Sequence, residues 1–348
     1  MRLDYYPILK TIGTEIITPR SRMSYKLKAL GVTPCPFCSK QRLIEEGTYL
    51  GETVLDHNKV LFTHDKSNYI SNWIVLVVKN KYPIVEPSEM KKQMGVESSH
   101  LVLIEARSHL EKWHYISPRK VTLILKSYVE IMKLYFEMGF VYVALFKNQG
   151  AKAGASVAHV HSQMIFLDRI PVRVEEMVKE LNFHRQCGIC GRVESLMQSE
   201  NRKVVLYESK NFIMYCPRAP YPFTIRIIPK RHVPTLMHLN DDEINELGML
   251  LLNALYRLAS FLGNKLSYNI LYYQAPVPYY DLWHLWIEIT PRGINEPAGF
   301  ELLTDIRVGV PPEIAANILK TVPTHLCRHC HNFVRPGKEC PYCGYENP

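Results

Sequence analysis

The sequence predicts an α+β protein built from two tandem copies of one strand-and-helix unit, followed by a small metal-binding module. First, Cys-x-x-Cys pairs and histidines recur in the same order twice along the chain. Second, each copy contains one long helical pattern between apolar runs typical of strands. Third, the tail carries two further Cys-x-x-Cys pairs. We expect the copies to span residues 1–170 and 171–322, and the tail module to span 323–348.

The composition is that of an ordinary globular protein. The 348 residues are 47% hydrophobic and 22% charged, enough for a full core. The formal net charge of +9 favours anionic ligands without distinguishing a nucleotide from a nucleic acid. The N-terminus has no apolar stretch of signal-peptide length, and no run of about 18 apolar residues follows. We therefore expect a cytoplasmic protein without a membrane segment.

In the first copy, apolar runs predict buried strands at 73–78 and 101–105. A helix is predicted over 118–138, because a proline opens it, apolar residues recur at helical spacing and a glycine follows it. The run 141–146 predicts the next strand. It leads through a Gly/Ala-rich turn into a last strand that begins at His159.

The second copy repeats this order. A connecting helix is predicted at 171–186, and the apolar run 223–228 predicts a strand. The second long helix is predicted over 241–262, with Asn240 as its N-cap and Gly263 as its stop.

Eight of the nine cysteines fall in Cys-x-x-Cys pairs, whose two-residue gap lets both thiolates reach one tetrahedral metal ion. Disulfides are disfavoured without a secretion signal, and the redox alternative lacks a βαβ setting. We therefore expect zinc, with iron as an alternative at one site. The predicted ligands are Cys35, Cys38, His109 and His159 in the first copy, Cys187, Cys190, His232 and His284 in the second, and Cys327, Cys330, Cys340 and Cys343 in a C-terminal zinc ribbon.

The spacing of the histidines decides between two candidate ligands in the first copy. His109 lies 50 residues before His159, and the two histidines of the second copy are 52 residues apart. His114 is a nearby rival, but His109 matches the second copy better.

The two copies differ where chemistry would occur. Alternate side chains of a strand share one face, so His159, His161 and Gln163 should lie side by side. In the second copy Trp286 and Glu288 take the places of His161 and Gln163. Only the first copy can therefore use a histidine as nucleophile or base, and the second copy is expected to be a scaffold or to supply binding groups.

The stretch 146–163, FKNQGAKAGASVAHVHSQ, resembles the active-site strand of the galactose-1-phosphate uridylyltransferase family, the transferase branch of the histidine-triad superfamily. The resemblance extends over about 8–322 and makes both copies histidine-triad-like repeats, with the ribbon outside it. It implies a ping-pong reaction in which His161 attacks the α-phosphorus of UDP-glucose and galactose 1-phosphate then takes the uridylyl group. Gln163 would donate a hydrogen bond to a phosphoryl oxygen.

The same resemblance implies substrate contacts and an assembly. Asn80 and Tyr82 match residues that hold the uridine, and Asn148 matches a residue near the phosphates and ribose. Ser156 would help to bind the phosphoryl group, and Glu301 matches a carboxylate that binds hexose hydroxyls. The expected partners are a UDP-sugar and a hexose 1-phosphate, and the expected assembly is a homodimer.

Three functions remain open from the sequence. Lys81 stands where uridylyltransferases have an acidic residue, which leaves room for an adenine-nucleotide sugar phosphorylase or adenylyltransferase of the same superfamily. A histidine-triad protein that processes nucleic-acid ends is the third possibility, in keeping with the basic charge and the ribbon. Gln163 argues against it, because hydrolases of the superfamily usually have a histidine there. A nucleic-acid partner is therefore not expected.

Overall fold

The structure is a computed structural model that describes residues 35–64, 72–109, 113, 116–181, 187–263, 266–294, 296–304, 306–322, 324–326 and 333–334. Within these ranges no helix is both long and apolar enough to cross a bilayer. The four ribbon cysteines predicted to bind zinc lie outside the described residues.

The described residues of the N-terminal half form six strands and three α-helices. The strands are β1 (Tyr49–Asp56), β2 (Lys59–Thr63), β3 (Trp73–Lys79), β4 (His100–Ile104), β5 (Tyr142–Gln149) and β6 (His161–Leu167). The helices are α1 (Lys40–Glu45), α2 (Glu89–Gln93) and α3 (Pro118–Glu137).

The described residues of the C-terminal half form five strands of the same sheet and five α-helices, followed by a short hairpin. The sheet strands are β7 (Val205–Glu208), β8 (Phe212–Tyr215), β9 (Ile225–Pro229), β10 (Ser267–Tyr273) and β11 (Trp286–Arg292), and the hairpin strands are β12 (His325–Leu326) and β13 (Phe333–Val334). The helices are α4 (Val172–Leu181), α5 (Gly188–Met197), α6 (Asp241–Leu262), α7 (Gly299–Thr304) and α8 (Pro312–Lys320).

The described strands β1 to β11 form one antiparallel sheet in the order β2-β1-β3-β4-β6-β5-β10-β11-β9-β8-β7. The order is mirrored about the β5–β10 contact. On one side β5, β6, β4, β3 and β1 follow one another outward, and on the other side β10, β11, β9, β8 and β7 do so. The predicted α+β class is confirmed, and the mirrored order is what a duplicated unit produces.

The two long helices form where the sequence predicts them. Pro118 occupies the first turn of α3, and the Ser117 hydroxyl accepts a hydrogen bond from Lys120 N. At the start of α6, Asn240 and Glu243 form a reciprocal capping box, and Gly263 follows the last turn. Local cap chemistry therefore determines both helices.

Five described helices, α1, α2, α5, α7 and α8, are absent from the sequence prediction, and the predicted connecting helix is described over part of its range. Helix α1 follows the first cysteine pair, and α5 begins immediately after Cys187. They are short helices, which periodicity alone detects poorly. The predicted connecting helix corresponds to α4, which is described as far as Leu181, and 182–186 lie outside the described residues.

The two faces of the sheet have different coverings. Helices α3 and α6 pack on one face against buried side chains from both halves, including Leu145, Met164, Ile270 and Ile287. On the opposite face, α1 covers an apolar cluster on β3 and β4, while α4 and α5 cover another on β8, β9 and β11. Between these two clusters lie polar or half-buried side chains of β5, β6 and β10, which we call the central strip: Asn148, His161, Gln163 and Asn269.

Gly150 lies where β5 leaves the sheet beside the first residue of β10. Its φ of 84° and ψ of 155° belong to a region that is essentially open to glycine only. A Cβ built there would overlap Ser267 Oγ and lie 3.0 Å from Ser267 Cβ. The close approach of the two halves thus requires glycine at this position.

We predict that Gly150→Ala lowers the free energy of unfolding by more than the roughly 1–3 kcal/mol that the backbone conformation alone costs. Chemical denaturation measures the change. Gly191→Ala is the matched control, because Gly191 lies in α5 with open space where a Cβ would project, and alanine should stabilise that helix by about 0.5–1 kcal/mol. Equal stability of the Gly150→Ala variant and the unaltered chain would contradict the close contact.

Candidate active site and metal centres

The first predicted ligand set comes together beside β6. Cys38 Sγ lies 3.6 Å from both His109 Nδ1 and His159 Nδ1, and Cys35 Sγ lies 3.7 Å from His159 Nδ1. The four candidate ligand atoms all lie within 4.8 Å of one another. The structure therefore brings His109 into this cluster, as the spacing predicts, whereas His114 lies outside the described residues.

The second cluster repeats this arrangement. Cys190 Sγ lies 3.3 Å from His232 Nδ1 and 3.4 Å from His284 Nδ1, and Cys187 completes the group. The two histidine rings meet edge to face at 5.4 Å, compared with 5.5 Å in the first cluster. Both predicted sets are thus assembled with the same geometry.

Both clusters fit a tetrahedral metal ion. Zinc bonds of about 2.3 Å to sulfur and about 2.0 Å to nitrogen imply sulfur–nitrogen separations of about 3.5 Å. His159 Nε2 donates to Ala106 O at 2.7 Å and His284 Nε2 donates to Pro229 O at 3.0 Å, which leaves each Nδ1 lone pair directed at the thiols. Either cluster can therefore hold an ion.

Burial shifts the pKa of two side chains of the second cluster. Burial, followed by repulsion from Cys187, raises the pKa of Cys190 to about 12. Burial lowers the pKa of His284 to about 4. A neutral imidazole is the form of histidine that coordinates a metal ion.

His161 is held as a neutral imidazole. Its side chain is 5% exposed, and its Nδ1–H donates to His159 O at 2.8 Å, so Nε2 carries the lone pair. Burial lowers the pKa of His161 to about 4, which keeps the ring uncharged at neutral pH. This is the state that a nucleophilic imidazole requires.

The strand carrying His161 begins two residues later than predicted. β6 starts at His161, and His159 belongs to the preceding loop, from which its ring reaches the thiols. Phe37, from the first cysteine pair, packs edge-on against both rings, at 5.2 Å from His161 and 6.1 Å from His159. The loop of the first cysteine pair therefore helps to orient the neighbouring imidazole.

A buried ion pair supports the backbone of His161 from the helix side of the sheet. Lys147 Nζ donates to His161 O at 3.0 Å and pairs with the carboxylate of Glu105. Burial lowers the pKa of Lys147, and Glu105 opposes that shift. Trp113 Nε1 donates to the same carboxylate at 2.7 Å, and Tyr128 OH donates to its other oxygen.

Sequence reasoning missed this support, although it left a signal. Val143, Leu145 and Lys147 alternate along β5 on its buried side, so a charged residue occupies a core position. A buried charge of this kind requires a partner, and only the three-dimensional structure identifies it as Glu105.

The orientation of the Gln163 amide follows from a second missed residue, His100. Ile84 N–H can only donate, so the His100 Nδ1 atom, 3.1 Å away, accepts. The neutral ring then carries its proton on Nε2 and donates to Gln163 Oε1 at 2.9 Å. Asn80 Nδ2 lies 3.1 Å from the same ring nitrogen, and Asn80 Oδ1 accepts from Tyr82 N at 2.9 Å. The Gln163 NH₂ group is left to face a ligand.

The register of β5 and β6 places Asn148 beside His161. Phe146 on β5 pairs with Gln163 on β6, so continuing this antiparallel register places Asn148 opposite His161. In the second half, Tyr273 pairs with Trp286 in the corresponding positions. Asn148, His161 and Gln163 are therefore adjacent on the central strip.

The structure does not bring every predicted substrate-binding residue to this strip. Ser156 is exposed in the loop before His159, and the half-buried Glu301 caps α7 by accepting from Ala298 N at 3.2 Å. Among the contacts of the described residues, none joins Ser156 or Glu301 to His161.

In the second half, the positions that correspond to His161 and Gln163 are occupied by packed or paired side chains. Trp286 stacks on Tyr273 at 4.5 Å and on Trp283 at 5.2 Å. Glu288 pairs with Arg226 at 2.8 Å beneath this stack. The central strip of the first half is thus the place where a buried neutral imidazole stands between two amide groups, an arrangement suited to attack on an anionic phosphoryl group.

The chain matches no protein-family model. It is 31% identical to an ADP-glucose phosphorylase of Arabidopsis thaliana over 272 residues, which cover 72% of this chain and 75% of that protein. It is 26% identical to a galactose-1-phosphate uridylyltransferase of Rattus norvegicus over 273 residues, 71% of this chain and 72% of that protein. The uridylyltransferase of Thermotoga maritima is 29% identical over 182 residues, which cover 50% of this chain and 56% of that protein.

Solved structures agree with these relatives. A crystal structure of an ADP-glucose phosphorylase from Arabidopsis thaliana with bound ADP-glucose has a TM-score of 0.67 at 29% identity, covering 85% of this chain and 94% of that chain. A uridylyltransferase mutant has a TM-score of 0.66 at 24% identity, over 84% of this chain and 92% of that chain, and shares the fold. With a 31% identical relative matched over three quarters of its length, the chain belongs to the galactose-1-phosphate uridylyltransferase family of nucleotidyltransferases.

Proposed function

We propose that this chain transfers the nucleotidyl group of a nucleotide diphosphate sugar through a covalent intermediate on His161. The supporting observation is that His161 is buried, neutral and fixed through Nδ1, with its Nε2 lone pair available beside Asn148 and Gln163. In the first step the Nε2 lone pair forms a bond to the α-phosphorus. The bond from that phosphorus to the bridging oxygen breaks, and the sugar 1-phosphate leaves with the electron pair.

In the second step a phosphate oxygen of the acceptor attacks the same phosphorus. The nitrogen–phosphorus bond breaks and returns the electron pair to His161 Nε2. The NH₂ group of Gln163 donates to a non-bridging oxygen in both steps, where negative charge must be stabilised. Because the Nδ1–H remains on His159 O throughout, the ring keeps one orientation.

ADP-glucose with inorganic phosphate as acceptor is the better supported substrate pair. The Arabidopsis ADP-glucose phosphorylase is 31% identical to this chain, compared with 29% and 26% for the uridylyltransferases of Thermotoga maritima and Rattus norvegicus. In addition, the basic residue Lys81 lies between Asn80 and Tyr82, where a uridylyltransferase has an acidic residue. UDP-glucose with a hexose 1-phosphate as acceptor is the second candidate, supported by the uridylyltransferase relatives.

The remaining predicted residues take roles around this centre. Asn80 and Tyr82 hold the base side of the nucleotide, and Asn148 and Ser156 contact its phosphates. Glu301 binds hydroxyl groups of the sugar. Asn80 N–H donates to His100 O at 2.9 Å, and the His100 ring donates to Gln163 Oε1 at 2.9 Å. These two hydrogen bonds support the first of these roles, since they connect the base side to the phosphoryl site.

Alpha-labelled nucleotide sugars test the reaction and the base together. Mixed with ADP-glucose labelled at the α-phosphorus, and with no acceptor, the protein should acquire acid-labile label, and UDP-glucose should label it less. His161→Ala should abolish labelling because the lone pair is lost, while the exposed His57→Gln variant should retain it. Full labelling of the His161→Ala variant would refute the proposal, and stronger labelling by UDP-glucose would reverse the choice of base.

We propose zinc as the ion in both Cys/His clusters and in the C-terminal ribbon. Four protein ligands leave no open position, so such an ion supplies rigidity to its loops. In the first cluster His159 and Phe37 then connect a rigid loop to His161.

Metal analysis of purified variants tests these sites. Cys38→Ser and Cys190→Ser should each lose one zinc equivalent by mass spectrometry and lower the thermal unfolding temperature, because a tetrahedral site loses a ligand. Cys216→Ser is the control, since Cys216 is buried outside both clusters. Retention of all zinc in both cluster variants would contradict the assignment, and iron in place of zinc would change the identity of the ion.

We further propose that the chain forms a homodimer through α7 and the segment after it. The exposed apolar side chains of this region are Phe300, Leu302, Leu303, Ile306 and Val308. A cluster of this kind marks an interaction surface. Glu301 lies among them, so docking on a second copy would carry this carboxylate towards the partner's sugar.

Leu303→Asp should convert the dimer into a monomer, because Leu303 is 86% exposed in a single chain and would be buried in the dimer. Light scattering coupled to gel filtration measures the mass. Leu61→Asp, on the edge strand β2, should leave the mass unchanged. A monomeric unaltered protein would exclude this interface.

A further inference from the structure

We propose that Arg292 and Asn269, from the second half, determine which way the Asn148 amide points, so that its NH₂ group faces the diphosphate of the substrate. This inference rests on the proposed function and assigns a positioning role to residues outside the first half. It gives the second half a direct contribution to the active site.

The direction of the Asn269 amide is defined at both ends. Arg292 Nη1 can only donate, and it lies 3.2 Å from Asn269 Oδ1, which therefore accepts. At the other end, Asn269 Nδ2 lies 2.9 Å from Ala153 O, which can only accept. Neither contact permits the reversed amide.

The fixed amide of Asn269 in turn orients Asn148. Asn269 Nδ2 donates to Asn148 Oδ1 at 2.8 Å, and the two residues are direct partners in the β5–β10 register. The oxygen of Asn148 is therefore occupied, and its NH₂ group is left on the central strip. The β5–β6 register, continued by two residues beyond the Phe146–Gln163 pair, places Asn148 opposite His161, so that this group lies on the side of the reacting phosphate.

The Gln163 amide is oriented in the same way by a different contact, the hydrogen bond that its oxygen accepts from His100. Both amides accept through their oxygens and present their NH₂ groups, so His161 stands between two hydrogen-bond donors. Oxygen atoms of a diphosphate are acceptors only, and donors fixed before binding need no reorganisation when charge develops. An unconstrained amide would instead offer its oxygen part of the time.

Arg292, the residue that orients Asn269, is itself held in place. The Arg292 guanidinium lies over the Tyr221 ring at 4.4 Å, and its Nη2 lies 3.3 Å from Glu296 Oε2. Asn269 is buried between β5 and β11. The side chains from Arg292 to Asn148 thus form a continuous series across the junction of the two halves.

A double-mutant cycle measured by binding tests this role. Asn269→Leu is uncharged and similar in size, but it cannot donate to Asn148, so we expect about 10- to 100-fold weaker binding of ADP or UDP. In an Asn148→Ala background the same change should cost almost nothing, since no amide remains to be oriented. Adenosine and uridine, which lack phosphate, should bind the Asn269→Leu variant as they bind the unaltered protein.

Two further variants separate positioning from folding. Asn253→Leu removes another buried asparagine that accepts from an arginine, Arg257 Nε at 2.7 Å, away from the strip. It should lower stability without weakening nucleotide binding. If Asn269→Leu does not fold, Asn269→Ser is used, because its shorter hydroxyl also fails to reach Asn148.

An equal loss of affinity with and without Asn148 would overturn the inference, as would equal weakening of nucleoside and nucleotide. Because the double-mutant cycle measures nucleotide affinity, it can be completed even if His161 never acquires label. Diphosphate binding with coupling but without label would refute the transfer reaction alone, whereas label without coupling would refute the positioning role alone.

Discussion

The antiparallel pairing of β5 with β10 is the contact that holds the two halves of the molecule in one structure. It joins them into one continuous sheet, so that α3 and α6 share a single core on one face. On the other face it places Asn269 directly against Asn148. The junction tolerates little variation. Gly150, at the end of β5, lies so close to Ser267 that there is no space for a side chain. A loss of this register would therefore damage the common core and the central strip together.

The two halves share one framework, which the mirrored strand order displays, and they differ in the side chains placed on it. Each Cys/His cluster holds the loop that precedes its central strand, with the same ring geometry in both halves. In the first half that loop delivers His161, which burial keeps neutral. In the second half Trp286 occupies the same position and stacks between two other aromatic rings. The first half thus has a buried neutral imidazole at the position where the second half has a packed tryptophan.

The two halves also differ in the side of the sheet on which each places its buried ion pair. The buried pair of Lys147 and Glu105 lies on the helix side of the first half and leaves the strip to neutral amides. In the second half, Glu288 occupies the position of Gln163 and pairs with Arg226 on the strip side itself. A buried pair is costly to separate, so that position is closed to a ligand. Neutral donors around His161 are better suited to a phosphoryl group than a fixed carboxylate would be.

Features that depend on neighbours along the chain, or on a repeated order, can be predicted from the amino-acid sequence alone. The bounds of α3 and α6 follow from their caps, and the members of the two Cys/His clusters follow from order and spacing, which also separate His161 from His159. The directions of the polar atoms in the site, in contrast, depend on the tertiary structure. His100 contacts Gln163 across 63 residues and Asn269 contacts Asn148 across 121. Such contacts arise from strand pairing between distant segments, and no local periodicity records which donor meets which acceptor.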